Sequence, residues 1–316
     1  MLVLMFPGQG SQRPNMGAAW VSHPSWELVV SLGEALGVDV ARLLVGAGPE
    51  ELRATANAQL ATYTLSAMIL DAVRRDLSAA SLEAAQLTAT AGHSLGEYTA
   101  LHAAGALEAI EGARLVRARG EAMQAAAKAQ PGTMAAVIGL GLEEVASACA
   151  NSSSAWVAND NAPGQVVLAG SAPGVEQAGQ AALGLGAKRV IGLQVGGAFH
   201  SPFMAAAQGP LDEALASARL AASKCPVVAN VDARAHFAGF AAPLSAQLCS
   251  RVRWRESLLT LEEMGAQMFV ELGPGTELTG MVRRTLGNAS RANVATPADI
   301  EALGKALEAS QRGPDG

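Results

Sequence analysis

A serine with a glycine two positions before it and another two positions after it, in the pentapeptide Gly92-His93-Ser94-Leu95-Gly96, most constrains how this chain can fold. The β-prone run Leu87-Thr88-Ala89-Thr90-Ala91 precedes it, and a segment typical of a helix follows. A turn this sharp strains the serine backbone and admits only residues without large side chains two positions away. The pattern predicts a nucleophile elbow, with Ser94 Oγ exposed above a sheet and the Leu95 amide directed at an oxyanion.

The rest of the chain has to support this interpretation, because such short patterns also occur in many non-hydrolytic proteins. The chain has 316 residues, of which 50% are hydrophobic and 4% aromatic. That is enough for a large α/β domain with an insertion, and it favours close packing of helices on a sheet. The net charge is −6, and positive clusters such as Arg251, Arg253 and Arg255 are short. We interpret them as solvated faces and expect no nucleic-acid partner.

The cysteines and the apolar runs indicate the compartment. Cys149, Cys225 and Cys249 share no metal-ligand or redox spacing, so we expect small buried side chains in a reducing environment and no metal site. The apolar start at residues 1–6 lacks a basic residue and ends at Pro7, too early for a signal or membrane segment. No later run reaches the roughly 18 apolar residues of a spanning helix. The sequence predicts a soluble, cytoplasmic protein that does not bind membranes.

The order of predicted elements changes part-way along the chain. An opening strand leads into the loop 7–12, at the end of the strand where open α/β sheets place ligands, and helices then lead to the elbow. From residue 133 the elements follow the order βαββαβ, the split arrangement of ferredoxin-like folds. The fold class expected is α/β, with an α/β-hydrolase-like parallel-sheet core and an inserted ferredoxin-like subdomain. The domains expected are a large catalytic domain of residues 1–130 and 196–316 and a small subdomain of residues 131–195.

A serine nucleophile needs a base, and His200 is the best placed of the five histidines. Three of the others lie in settings typical of structural or solvated histidines. His93 is adjacent to Ser94, so its side chain should project away from the serine. His200 follows a predicted strand and the flexible pair Gly196-Gly197, and it precedes Ser201-Pro202. Such a setting can direct an imidazole ring into a cleft from the end of a strand.

Arg119 is the second informative charge. On the helix predicted from Glu108 to Lys128, its neighbours three and four positions away are apolar, and the other charged residues gather elsewhere on the surface. Arg119 therefore points toward the core. A buried guanidinium stays charged and meets a carboxylate, a group of carbonyl oxygens or a bound anion. Helix geometry alone leaves an internal salt bridge and an anion site equally open.

Six segments, in order along nearly the whole chain, resemble one family. This family comprises the malonyl-CoA:acyl carrier protein transacylases of type II fatty acid synthesis and the acyltransferase domains of polyketide synthases. The segments are Phe6-Pro7-Gly8-Gln9-Gly10-Ser11-Gln12, Gly92-His93-Ser94-Leu95-Gly96-Glu97-Tyr98, Arg114-Leu115-Val116 with Arg119-Gly120, Pro163-Gly164-Gln165-Val166-Val167, Gly197-Ala198-Phe199-His200-Ser201-Pro202, and Glu271-Leu272-Gly273-Pro274-Gly275.

The resemblance implies a role for each matching residue. Ser94 is the acylated nucleophile and His200 is its base. The backbone N–H groups of Gln9 and Leu95 form the oxyanion hole. Arg119 binds the free carboxylate of malonate.

The resemblance also describes the surroundings of the base. The family orients its histidine through a main-chain carbonyl near a glutamine that matches Gln247, which implies a Ser–His dyad without an aspartate. Phe199 stands in the Ala-Phe-His form of the family motif, which implies a wall that crowds an α-methyl group. One departure is the segment Arg251-Val252-Arg253-Trp254, where the family often has Pro-Val-x-Trp.

These residues together imply a ping-pong acyltransferase, an [acyl-carrier-protein] S-malonyltransferase. A malonyl group passes from malonyl-CoA to Ser94 and then to the phosphopantetheine thiol of an acyl carrier protein. Thioester is exchanged for ester and back, so no ATP, metal, nicotinamide or other cofactor is required. We expect a monomer. The carrier protein could serve fatty acid synthesis, a polyketide cluster or a malonate decarboxylase.

Two alternatives remain open at this point. A serine hydrolase of the thioesterase kind would share the elbow, but it would usually carry an acidic triad member and would have no use for a core-facing Arg119. A non-catalytic module that binds carrier protein would have little reason to keep Ser94, His200 and Arg119 together.

Overall fold

Two β-sheets with different strand arrangements form the framework of the protein. The computed structural model describes residues 1–77, 86–150 and 152–311. The strands are β1 Leu2–Phe6, β2 Leu87–Gly92, β3 Thr133–Ile138, β4 Ala155–Ala162, β5 Gln165–Gly170, β6 Arg189–Gly192, β7 Val227–Val228, β8 Ala235–His236, β9 Met268–Leu272 and β10 Ser290–Val294. The larger sheet has the order β10-β9-β1-β2-β7-β8 and is parallel except for β8 at its edge.

Helices cover both sheets. They are α1 Trp26–Leu36, α2 Val40–Val45, α3 Pro49–Arg53, α4 Thr55–Asp76, α5 Gly96–Ala103, α6 Ala109–Ala129, α7 Leu142–Ala150, α8 Ala172–Gly184, α9 Ala205–Ser217, α10 Ala241–Gln247, α11 Trp254–Glu263, α12 Glu277–Thr285 and α13 Pro297–Gln311. Short 3-10 turns lie at Ala18–Trp20 and Pro202–Met204. Within the described residues, no helix is both long and apolar enough to cross a lipid bilayer.

The smaller sheet is antiparallel and has the order β4-β5-β3-β6. Along the chain, its strands alternate with α7 and α8 as βαββαβ. This order and this spatial arrangement are those of a ferredoxin-like unit. The predicted fold class, a parallel α/β core with a ferredoxin-like insertion, is confirmed. The residue boundaries of the two domains stay a prediction.

The parallel sheet positions the site because neighbouring strands end at the same edge. Phe6 at the end of β1 pairs in register with Gly92 at the end of β2. The loop that follows β1 therefore lies beside the turn that follows β2. Every residue of β1 is buried, as expected for a parallel strand covered on both faces.

The helix that carries Arg119 packs against α4, a long and largely buried helix. Most residues of α4 are buried, including polar ones such as Gln59. A helix buried on nearly all sides lies inside a core instead of on a surface. Its partner α6 directs Arg119, 1% exposed, toward this interior. The prediction that Arg119 faces the core agrees with this position.

The prediction that Arg251, Arg253 and Arg255 form a solvated face is wrong for Arg255. Its Nη2 lies 2.8 Å from Oδ2 of Asp160, which is 1% exposed. Asp160 belongs to β4 in the smaller sheet, and its amide donates to the Val252 carbonyl at 2.9 Å. The arginine lies there because a buried carboxylate requires a counter-charge, which a local sequence pattern does not reveal.

Candidate active site

Ser94 occupies a strained turn between β2 and α5. Its φ is +51°, in the left-handed region that residues with a side chain rarely adopt. A Cβ atom added at Gly92 would overlap the backbone of Gly96, and one added at Gly96 would overlap the Phe6 carbonyl. Both glycines are therefore required sterically, as the elbow pattern predicts. Ser94 is less exposed than expected, at 9%, because polar side chains from three other segments cover it.

Asn230, which the sequence analysis did not identify, holds this turn from the adjacent strand. Its Oδ1 accepts the Ser94 amide N–H at 2.5 Å, and its Nδ2 donates to the Gly92 carbonyl at 2.7 Å. The Ser94 amide is thus already satisfied and does not serve an oxyanion. The available signal was the position of Asn230 just after β7, at the same sheet edge as the elbow.

His200 lies within hydrogen-bond distance of the serine. Its Nε2 is 2.7 Å from Ser94 Oγ, and its Nδ1 is 2.9 Å from the Gln247 carbonyl oxygen. A carbonyl only accepts, so Nδ1 carries the proton and Nε2 is free to accept one from Ser94. Burial, followed by the positive charge of Arg119, lowers the pKa of His200 to about 3. The ring is therefore neutral, as a general base must be.

Arg119 lies on the other side of the serine. Its Nη2 donates to Ser94 Oγ at 3.0 Å and to Gln247 Oε1 at 2.9 Å, and its Nη1 donates to Gln59 Oε1 at 2.7 Å. Its Nε is buried without a partner. Among the described residues, no carboxylate forms a direct ion pair with this guanidinium. An unpaired cation beside a nucleophile is a site for an anionic group.

Gln247 contributes with both its backbone and its side chain. The carbonyl orients His200, as described above, and Oε1 accepts from Arg119. Its Nε2 donates to the Ser94 carbonyl at 3.1 Å and to Glu97 Oε2 at 2.7 Å. The sequence analysis assigned no role to Gln59 or Glu97. Both helices carry several other polar residues, so the local pattern does not single out either side chain.

Two free amides lie at the edge of the sheet where the serine is held. Leu95 precedes the first turn of α5, and Gln9 lies in the loop after β1. Neither amide donates to a backbone or side-chain acceptor in the part of the chain that the structure describes. The helix α5 adds its positive dipole end at this point. These amides are therefore available to an oxyanion.

Phe199 precedes the base and is 5% exposed. Its ring belongs to the main hydrophobic core together with Phe203. Phe199 is next to His200 in the chain, and its role in acyl selectivity stays a prediction. Among the described residues, no group of three or more His, Cys, Asp or Glu side chains is arranged to hold a metal ion.

The arrangement supports nucleophilic acyl chemistry with an anionic acyl group. A neutral imidazole and a buried guanidinium both lie within hydrogen-bond distance of the strained serine. The two free amides belong to the turn itself and to the loop that follows the neighbouring strand. The imidazole is oriented by a carbonyl, so the group is a dyad and not a triad with a carboxylate.

Comparison with known proteins assigns the family. Residues 3–303 match the family described as Acyl transferase domain, and the chain belongs to this family. The malonyl CoA-acyl carrier protein transacylase of Bacillus subtilis is 37% identical over 308 residues, which cover 95% of each chain. The acyl-carrier-protein S-malonyltransferase of Burkholderia pseudomallei superposes with a TM-score of 0.90 at 36% identity, covering 96% of this chain and 99% of that one. A malonyl-transacylase in complex with its type II polyketide acyl-carrier protein gives a TM-score of 0.90 at 32% identity, with the same two coverages.

Proposed function

We propose that this chain transfers a malonyl group from malonyl-CoA to the phosphopantetheine thiol of an acyl carrier protein through a malonyl ester of Ser94. The observation that carries the proposal is the buried guanidinium of Arg119, 3.0 Å from the nucleophile and without a carboxylate partner. The relatives match this chain over nearly their whole length, and they are named as malonyl transacylases. Their names support the same donor and acceptor.

In the first half-reaction, Ser94 Oγ attacks the thioester carbonyl while its proton passes to His200 Nε2. The Leu95 and Gln9 amides stabilise the oxyanion. When the tetrahedral intermediate collapses, the C–S bond breaks and His200 returns the proton to the departing sulfur. Arg119 binds the malonyl carboxylate throughout. In the second half-reaction, the carrier thiol attacks the ester and the same groups act in reverse order.

The hydrolase alternative is less well supported. A thioesterase triad would place a carboxylate on His200, whereas Nδ1 meets the Gln247 carbonyl. The non-catalytic alternative does not account for a strained serine held 2.7 Å from a neutral histidine.

The partners and the compartment follow from less direct observations. The net charge of −6 and the short basic clusters support a protein that binds no nucleic acid. The cysteine pattern supports the cytoplasm. The monomeric state and the pathway of the carrier protein stay predictions.

Mass spectrometry of the intact protein after brief exposure to malonyl-CoA tests the proposal. We expect one malonyl adduct, located on Ser94 by peptide mapping, lost in Ser94→Ala and discharged by an acyl carrier protein. Ser201→Ala is a matched control next to the base. Rapid hydrolysis of the adduct with no transfer to carrier protein would establish the thioesterase alternative instead.

Phe199 gives a prediction about the donor. If its ring crowds an α-methyl group, methylmalonyl-CoA should be the poorer donor by about 10-fold in kcat/KM, the effect of one misplaced methyl in a tight pocket. Phe199→Ala should reduce this difference in kcat/KM between the two donors. Phe237→Ala, at an exposed position, should leave the difference unchanged. Equal kcat/KM values for the two donors with the wild type would refute this role.

A further inference from the structure

Glu97 is a buried acidic side chain of the site that takes no part in the steps above. It lies in the first turn of α5 and is 3% exposed. Its Oε2 accepts the Gln247 side-chain amide at 2.7 Å and the Asn230 backbone N–H at 3.0 Å. Both partners can only donate, so Oε2 can only accept. No described residue donates to Oε1, which leaves that oxygen available for a proton.

One amide group connects Glu97 to Arg119. Gln247 accepts from Arg119 through Oε1 at 2.9 Å and donates to Glu97 through Nε2 at 2.7 Å. The negative and positive charges thus lie at the two ends of a single side-chain amide. Because the site is buried, their attraction is screened much less than it would be in water.

We propose that Glu97 is the counter-ion of Arg119 in the free enzyme and that it takes up a proton at Oε1 when a malonyl carboxylate binds Arg119. The proposal rests on the proposed function, because it requires an acyl donor that carries a carboxylate. Once that donor is bound, one cation faces two carboxylates in a buried site, and this disfavours ionisation of both. The proton comes from solvent. An acetyl donor brings no charge and leaves the protonation of Glu97 unchanged.

The other titratable groups around Glu97 do not share this behaviour. Burial raises the pKa of Glu97 to about 7. The hydrogen bonds from Asn230 and Gln247 and the positive charge of Arg119 act to lower this pKa, and the negative charge of Asp232 acts to raise it.

The neighbouring titratable groups keep one protonation state near pH 7. Burial lowers the pKa of His93 and His200, so both rings are neutral, and burial raises the pKa of Tyr98. Glu97 is therefore the group in this cluster that an additional charge can switch near neutrality.

Glu97→Gln separates the charge from the hydrogen bonds. The amide oxygen can accept both existing bonds at the position of Oε2, and the amide nitrogen then occupies the position of Oε1. In a weakly buffered solution with an indicator dye near pH 7, a single acylation by malonyl-CoA should take up a fraction of a proton per site in the wild type. The variant releases the same CoA and should show no such uptake. Equal proton stoichiometry in the two proteins overturns the proposal.

A second measurement needs the wild type alone, and so it holds even if the variant folds poorly. The quantity measured is the ratio of kcat/KM for malonyl-CoA to kcat/KM for acetyl-CoA. Both donors use the same base and the same CoA leaving group, so the effects of pH on these two groups cancel in the ratio. If malonylation raises the pKa of Glu97 by one unit, this ratio should fall about fivefold as the pH rises from about 7 to about 9. A flat ratio in the wild type contradicts the proposal.

Two controls complete the test. Glu111→Gln, on the same helix as Arg119 and paired with Arg114 at the surface, should keep the wild-type slope. Glu97→Gln, where it folds, should give a flat ratio. If malonyl-CoA fails to label Ser94 in the wild type, the proposed function fails. If labelling occurs and the ratio is flat in every protein, the role of Glu97 alone is refuted.

Discussion

At the scale of single residues, Gln247 joins the two halves of the site. Its carbonyl orients the base, and its side chain contacts the guanidinium, the serine carbonyl and Glu97. The family resemblance predicted a main-chain carbonyl near this glutamine, and the side-chain contacts come from the structure. A residue that holds the base and the anion site together couples proton transfer to recognition of the acyl group.

The Arg119 side chain should determine the preference for malonyl donors. Arg119→Ala and Arg119→Lys should both lose about 2–5 kcal/mol of transition-state stabilisation with malonyl-CoA, as when one partner of a buried charge pair is removed. Lysine keeps the positive charge but should not restore malonyl transfer, because it cannot form a planar, bidentate contact with a carboxylate. Acetyl-CoA should be affected less. The measurement is kcat/KM for both donors, with a thermal melt.

The control for Arg119 is Arg114→Ala on the exposed face of the same helix, which should retain wild-type values. An equal fall for both donors with the Arg119 variants, or simple unfolding, would make Arg119 a structural residue.

His200→Ala should fold normally and acylate more slowly by on the order of 10², as expected for loss of a general base. Because burial lowers the pKa of His200 to about 3, acylation by acetyl-CoA should not decline through pH 6.5 on account of this group. Stopped-flow acylation as a function of pH measures both. His236→Ala, in the edge strand β8 where the ring contacts Asp232, is the control. Near-normal acylation by His200→Ala would exclude His200 as the base.

At the scale of elements, buried polar groups fix how the strand ends meet the helices. Glu271 at the end of β9 accepts the backbone N–H of Leu278 at 3.2 Å and of Thr279 at 2.8 Å. It thus satisfies amides in the first turn of α12, which otherwise lack partners. Gly273, just after it, lies close enough to Pro7 that an added Cβ would approach the proline ring to 2.5 Å. The cap therefore supports the loop that carries Gln9.

The Glu271 cap should make stability depend on pH. Burial raises the pKa of Glu271 to about 7 in the folded protein, above the ordinary value of 4.5. The folded state therefore binds more protons than the unfolded state between these values. The contribution of Glu271 to the free energy of unfolding is therefore full below pH 4.5. It decreases by about 3 kcal/mol as the pH rises through 7. As the pH rises from 4.5 to above 7, the free energy of unfolding of the wild type should decrease by about 3 kcal/mol relative to that of Glu271→Gln.

Urea unfolding at several pH values measures that difference. Glu263→Gln, at an exposed position at the end of α11, should show no such trend. A constant difference between the wild type and Glu271→Gln would mean that Glu271 titrates alike in both states.

Some elements had no clear sequence signal. The strand β10 reads Ser-Arg-Ala-Asn-Val, which is too polar to show the apolar run of a buried parallel strand. It forms because β9 offers an unpaired edge, with which β10 pairs in parallel register. The strands β7 and β8 are two residues each, and partner strands hold them in place. Pairing of this kind depends on distant residues and not on the local pattern.

At the scale of the whole molecule, the smaller sheet reaches the active site through the end of β4. Asp160 pairs with Arg255 of α11, and Asn161 Oδ1 lies 2.8 Å from Nε2 of His93, next to the nucleophile. The His93 ring also packs on Trp254, with centroids 5.5 Å apart. The elbow is thus held from both sheets at once.

The ion pair between the sheets should contribute more than a surface pair. Arg255→Ala would leave Asp160 buried without a counter-charge, and we expect a loss of about 2–4 kcal/mol in unfolding free energy. Lys305→Ala is the contrast, because both members of its pair with Glu301 are well exposed, and it should cost much less than Arg255→Ala. Chemical denaturation measures both variants. Similar small losses would mean that the sheets are held mainly by apolar packing.

The sequence by itself determined the parts of this protein that short-range sterics and hydrophobic patterning control. The elbow at Ser94 follows from two glycines that no other residue can replace, and the βαββαβ order follows from alternating apolar runs. The roles of His200 and Arg119 were predicted from position and from resemblance, and the structure brings both to the serine.

Only the tertiary structure decided which polar groups complete the site. Gln59, Glu97 and Asn230 belong to separate elements, and they meet because the parallel sheet ends its strands at one edge while α4 and α6 pack beside it. A buried polar side chain must find its partners wherever the fold places them. Local sequence does not encode those partners, since the contacts join residues up to 153 positions apart.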